Sequence, residues 1–139
     1  MLKRILKYIV HKSGYIYYKR DYEPYGIDLC VDLKRFYAEN QPTWILDIGA
    51  NVGEMTQKFS DTFHDSRVHC FEPVFETWKR LESRFKEYPQ ITCHNYGFSD
   101  CECQKAIILY PESVKNRLLS VSDSSSSLPT EMITLKTLD

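Results

Sequence analysis

Apolar positions change their period along the chain, and each change marks a new element. Leu2, Ile5, Leu6, Ile9 and Val10 recur at helical spacing over Met1–Lys12, with Lys3, Lys7 and Lys12 between them. Residues 13–26 are rich in tyrosine, hold Gly14, Pro24 and Gly26, and read as a connector. Ile27, Leu29, Cys30, Leu33, Phe36 and Tyr37 predict a second helix. Gln41-Pro42 ends it, because the residue before a proline avoids helical angles. The period then shortens. Trp44-Ile45-Leu46-Asp47-Ile48 reads as a strand running into a glycine-bearing turn, Gly49-Ala50-Asn51-Val52-Gly53. Val52, Met55, Phe59 and Phe63 form a helical stripe, and Val68-His69-Cys70-Phe71 is a second strand stopped by Glu72-Pro73. Val74, Trp78, Leu81, Phe85 and Tyr88 recur every three or four positions, an amphipathic helix with Trp78 in the core. Pro73 is expected in its first turn, where a missing N–H costs nothing. Ile91-Thr92-Cys93-His94-Asn95 is a third strand. Strand and helix alternating with short connections predict parallel strands joined by right-handed helical crossovers. Further strands are expected at Lys105–Tyr110 and Met132–Leu135, and the serine-rich run Val121–Ser127 reads as a flexible loop.

Composition narrows the classes. The 139 residues suffice for one small domain, and 42% hydrophobic with 27% charged residues is ordinary for a soluble globular protein. No run approaches the roughly 18 apolar residues of a membrane span. A formal net charge of −1 argues against a globally basic nucleic-acid binder. The average hides an asymmetry: residues 1–20 carry Lys3, Arg4, Lys7, Lys12, Lys19 and Arg20 and no acid. A basic amphipathic helix there suits weak contact with an anionic membrane surface. Packing on the main domain is the favoured reading, since basic residues on a solvated helix face are common. Lys7 interrupts any secretory core, so a cytoplasmic location is expected. The five cysteines are odd in number and irregularly spaced, which suits reduced thiols; Cys70 and Cys93 lie in apolar strands as small hydrophobes. Cys101-Glu102-Cys103 has no second ligand pair of matching spacing, so no metal is expected.

The residues that bear chemistry lie between Asp47 and Glu72. Ligands of doubly wound sheets bind at the carboxyl ends of the strands. Asp47 stands near the end of the first strand and Glu72 at the end of the second. Gly49 and Gly53 let the backbone turn tightly between them. A carboxylate at Glu72 suits the two hydroxyls of a ribose. The turn G-A-N-V-G lacks the middle glycine of the dinucleotide fingerprint G-x-G-x-x-G, and Asp47 would repel a pyrophosphate. An acid there favours a ligand carrying an ammonium and a sulfonium centre, and S-adenosylmethionine has both, together with a ribose. Plainer roles stay open. Asp47 can bond turn amides, Asn51 can simply tolerate a left-handed angle, Asp100 can be a turn residue, and His69 and His94 can be packed strand residues.

W-I-L-D-I-G-A-N-V-G-E-M-T, then V-H-C-F-E-P, then N-Y-G-F-S-D resemble the FkbM family of S-adenosylmethionine-dependent methyltransferases. Ser126-Ser127-Leu128 and the closing T-L-D resemble it too, so the likeness covers residues 43–139; Gly97 stands where the family commonly has alanine. The resemblance implies an α/β, Rossmann-like class I methyltransferase fold with a doubly wound sheet. The helical patterns before it read as an N-terminal helical extension over residues 1–42. It implies a cofactor site drawn from Asp47, Gly49, Ala50, Asn51, Gly53, Glu72, Pro73, Phe98 and Asp100. It implies methyl transfer to a hydroxyl of a small-molecule or glycan acceptor, such as a sugar or natural product, with the catalytic residue unassigned. The family's next motif, K-x-D-x-E-G, does not follow T-L-D here. The chain is therefore expected to be the N-terminal half of the methyltransferase domain, a fragment inactive by itself, with Trp44–Ile48 as an exposed apolar edge. A dinucleotide-dependent oxidoreductase and a non-catalytic truncated remnant are the rival readings.

Overall fold

The computed structural model describes Lys12 and residues 22–38, 40–111, 113–119 and 127–139. The amphipathic pattern of residues 1–11 and the serines at 121–126 lie outside these residues. The Asp28 carboxylate accepts the N–H groups of Cys30 and Val31 at 2.9 and 3.2 Å, and this cap starts helix α1, Leu29–Tyr37. Strand β1 follows at Trp44–Ile48, helix α2 at Glu54–Thr62, strand β2 at Arg67–Phe71, helix α3 at Phe75–Phe85 and strand β3 at Ile91–His94. The three strands are parallel in the order β1-β2-β3, with Asp47 beside Cys70 and Cys70 beside Cys93. The alternating pattern predicts these parallel strands and helical crossovers, and the arrangement is Rossmann-like α/β.

Both crossover helices cover one face of this sheet. Thr56 of α2 bonds Asp47 from that side, and Leu81 and Phe85 of α3 form a core with Ala50, Val68, Cys70 and Ile91. Helix α1 adds to the same layer, since its Tyr37 ring meets Phe63 edge-on at 6.2 Å. Alternation along a strand sends the intervening side chains to the opposite face. There Trp44, Leu46 and Ile48 are 54%, 47% and 54% exposed. Trp44 lies stacked on His69 at 5.0 Å, and His69 Nδ1 lies 2.9 Å from His94 Nε2. Among the described residues β1 pairs only with β2, so the apolar edge expected from the sequence is present.

A second sheet has the order β4-β7-β5-β6, built from Gly97–Phe98, Thr130–Lys136, Cys103–Ile108 and Arg117–Leu118. Strand β4 runs parallel to β7, while β5 is antiparallel to both β7 and β6. Val74, Ile107, Ile133 and Leu135 form its core. Glu131 of β7 accepts the Phe75 N–H at 2.8 Å, tying this sheet to the start of α3. Two expectations need correction. Pro73 is not in the first turn of α3; Val74 takes the N-cap position and the helix begins at Phe75. Trp78 is half-buried rather than a core residue, because the apolar stripe that reaches the sheet runs through Leu81 and Phe85.

Exposed apolar side chains on a sheet edge promote association. Leu46→Thr with Ile48→Thr keeps strand propensity and removes much of this apolar surface. Sedimentation velocity should show less self-association for the double variant at equal concentration, with cooperative unfolding retained. Equal association of the two proteins would exclude this face as the contact.

Candidate functional site

Three conformational choices build the turn after β1. Gly49, Asn51 and Gly53 all have positive φ, at 80°, 51° and 82°. Asparagine is among the few residues that take this angle readily, which explains its place between two glycines. The amides of Gly49 and Ala50 both reach the Phe71 carbonyl at 3.0 Å, so the turn folds back over the end of β2. The Asn51 N–H then meets Glu72 Oε2 at 3.0 Å, and the Val74 N–H meets Glu72 Oε1 at 3.0 Å. Glu72 thus joins the first turn to the start of α3. Burial pushes its carboxyl above the ordinary glutamate range, against the pull of the Val74 and Asn51 amides; Glu131 nearby raises it further.

Asp47 stands at the end of the neighbouring strand. Its Oδ2 accepts the Thr56 hydroxyl at 2.6 Å, and no other hydrogen bond reaches this carboxylate from the described residues. A carboxylate offers about four acceptor positions, so both acids keep capacity for a ligand after their internal bonds are counted. The two glycines differ in surroundings. A Cβ on Gly49 would have nothing within 4 Å, so that side of the turn is open. A Cβ on Gly53 would fall 2.3 Å from Phe85 Cε2 and 2.7 Å from Leu81 Cδ1. The Gly53 amide also bonds the Ala50 carbonyl at 2.8 Å, so Gly53 packs the turn onto α3.

The fold therefore brings Asp47, Gly49, Asn51 and Glu72 together. Ala50 is buried in the core beneath them. Pro73 continues from Glu72 and lies against Gly97, whose own Cβ would meet Leu135 at 3.0 Å and Pro73 at 3.4 Å. The Gly97 position is thus close-packed, a reason for glycine there. Phe98 stacks edge-on with Phe71 at 4.8 Å, on the face of β2 away from α3. Asp100 is exposed and accepts the Ser99 hydroxyl at 2.9 Å, which holds its carboxyl below the ordinary range; the Cys101 side chain adds to this. It makes no hydrogen bond to the Asp47–Glu72 group.

Three side chains at the site have no role in the sequence reading. Thr56 fixes Asp47. Asn95 donates its amide N–H groups to the Glu72 and Pro73 carbonyls at 3.0 and 3.1 Å, pinning the peptide that carries the acid. The Ser113 hydroxyl donates to Asn51 Oδ1 at 2.9 Å and brings a 3₁₀ turn, Ser113–Lys115, over the loop. Thr56 and Asn95 had a signal, since both lie in the stretches that carry the family resemblance. Ser113 had none, because its partner lies 62 positions away. Among the described residues no group of three or more His, Cys, Asp or Glu side chains gathers at metal-binding distance, and no helix is long and apolar enough to cross a membrane.

No protein-family model matches the chain. It is 34% identical over 68 residues to the AMB antimetabolite synthetase AmbE of Pseudomonas aeruginosa, a match covering 48% of this chain and 3% of that protein. Among solved structures, the methyltransferase FkbM from Methylobacillus flagellatus is similar with a TM-score of 0.44 and 17% identity, over 71% of this chain and 22% of that one. The glycopeptide N-methyltransferase MtfA, complexed with S-adenosyl-L-methionine, has a TM-score of 0.38 and 11% identity, over 96% and 81% of the two chains. The chain thus spans a small part of the length of AmbE and of the FkbM structure. At these TM-scores the likenesses carry no chemistry, which rests on the site's own residues.

Proposed function

We propose that the protein is an S-adenosylmethionine-dependent methyltransferase acting on a hydroxyl of a small-molecule or glycan acceptor in the cytoplasm. The observation that carries this reading is the pairing of Asp47 and Glu72 at the carboxyl ends of adjacent parallel strands, joined by a left-handed turn whose Asn51 amide bonds Glu72. Strand ends of this kind are where α/β sheets bind nucleosides. The motif resemblance, D-I-G-A-N-V-G followed by F-E-P, supports the same assignment.

The residues fit that cofactor. Glu72 has acceptor capacity left for two ribose hydroxyls. Asp47 supplies negative charge for an ammonium group, and Thr56 holds its orientation. Gly49 leaves open space for close approach to the turn. When bound, the cofactor supplies an activated methyl group on a sulfonium centre. The chain's part is to fix the nucleoside end, so that methyl and acceptor oxygen meet in line; positioning of this kind accounts for much of the rate in such transfers.

Calorimetry with S-adenosylhomocysteine and with NAD tests the assignment. The expected result is saturable binding of S-adenosylhomocysteine and none of comparable strength for NAD. A preference for NAD would replace this reading with the oxidoreductase.

A further inference from the structure

Cys70 and Cys93 face each other directly in the parallel pairing of β2 with β3, and their sulfurs are 3.3 Å apart. Neighbouring strands lie about 4.8 Å apart. That falls within the roughly 4.4–6.8 Å between Cα atoms that a disulfide spans, so the strands already stand at bridging distance. The two thiols are not equivalent. Cys70 is fully buried, while Cys93 is only half-buried. The Cys70 S–H donates to the Cys93 sulfur and also lies 3.4 Å from the Thr92 carbonyl. A donor aimed at sulfur favours the thiolate, and it pulls the Cys93 thiol below its ordinary range while Cys70 is pushed up. The accessible sulfur is therefore the nucleophilic one, and the buried sulfur stands next to it as a resolving partner.

We propose that Cys70 and Cys93 form a redox modification site, at which a peroxide converts the pair into a disulfide bridging β2 and β3. The Cys93 thiolate attacks a peroxide oxygen. The O–O bond breaks, leaving Cys93 as the sulfenic acid, and the released hydroxide takes a proton to become water. The Cys70 sulfur then attacks the Cys93 sulfur. The S–O bond breaks, and the leaving hydroxyl departs as water with the Cys70 proton. The two sulfurs lose two electrons in all, which one hydrogen peroxide accepts. A small dithiol reverses the step by thiol–disulfide exchange. The sulfurs of the exposed Cys101 and the half-buried Cys103 lie 3.4 Å apart and form a competing pair within the same chain.

The test treats the folded, reduced full chain with hydrogen peroxide, blocks remaining thiols, and maps the non-reduced peptides by mass spectrometry. The expected product links the Cys70 peptide to the Cys93 peptide, and dithiothreitol reverses it. The link should persist in a Cys101→Ser, Cys103→Ser double variant. In Cys70→Ser the oxidised Cys93 should be captured by dimedone as the sulfenic acid. The unsubstituted chain decides the matter alone if a variant fails to fold. Cys70 and Cys93 both remaining alkylatable after Cys101 and Cys103 have been oxidised would overturn the proposal. A link formed only in urea would do the same.

Discussion

Gly53→Ala should destabilise the domain by about 2–5 kcal/mol, much more than Gly49→Ala. Both glycines have φ near +80°, so alanine at either position meets the left-handed penalty of roughly 1–2 kcal/mol. Only at Gly53 does the added methyl have no room. Its nearest neighbours, Phe85 and Leu81, are 2% and 0% exposed, and moving them disturbs the core against Val68, Cys70 and Ile91. Overpacking of this kind costs about 1–3 kcal/mol more. Against a total stability of roughly 5–15 kcal/mol, the sum is large. Urea denaturation of both variants reads it directly: the Gly53 variant should lose far more midpoint, with an unchanged slope. Equal losses would mean that the turn tolerates the methyl and that Phe85 does not hold it. The Gly49 variant should instead lose ligand affinity, since its methyl enters the open side of the turn.

That contrast shows what the sequence makes legible. The strands β1, β2 and β3 fall where the short apolar runs place them, because a strand buried on one or both faces cannot disguise its pattern. The acids Asp47 and Glu72 stand out in the sequence as charged residues at the ends of short apolar runs, and the structure gives each an internal partner: the Thr56 hydroxyl for Asp47, and the Asn51 and Val74 amides for Glu72. The division of labour between Gly49 and Gly53 is not legible. Both glycines answer the same conformational need, and only the side chains of α3, some thirty residues later, tell them apart. The shift of the start of α2 from Val52 to Glu54 has the same origin, since Gly53 holds a left-handed angle at the N-cap. The short strands Gly97–Phe98 and Arg117–Leu118 also escape the sequence, because two residues carry no period. Ser113 is invisible for a different reason: it matters through one hydrogen bond to Asn51, a residue that pattern alone does not bring near.

Glu72→Gln should weaken S-adenosylhomocysteine binding by roughly ten- to a hundred-fold while the domain stays folded. Glutamine keeps the shape but removes the charge, and hydrogen bonds to a charged group contribute about 1.5–3 kcal/mol. It also presents an NH2 group to one of the two amides, Asn51 or Val74, that the carboxylate now accepts. The pH dependence separates ligand binding from a purely structural role. Burial raises the Glu72 carboxyl in the folded state, so its proton returns at a higher pH than for an ordinary glutamate. The sign for stability follows. A carboxyl raised on folding favours the native state most below its unfolded-state value, and that contribution is lost as pH rises through the folded value. Protonating Glu72 therefore does not unfold the domain. Affinity, by contrast, needs the ionised form to accept ribose hydroxyls. For the unsubstituted protein it should fall as pH drops through the raised value, with circular dichroism unchanged. For the glutamine variant it should be low and flat across the same range. Calorimetric titrations of both proteins from neutral to mildly acid pH measure this. Equal affinities with parallel pH profiles would reduce Glu72 to a brace between the first turn and α3, and the nucleoside site would have to be sought elsewhere.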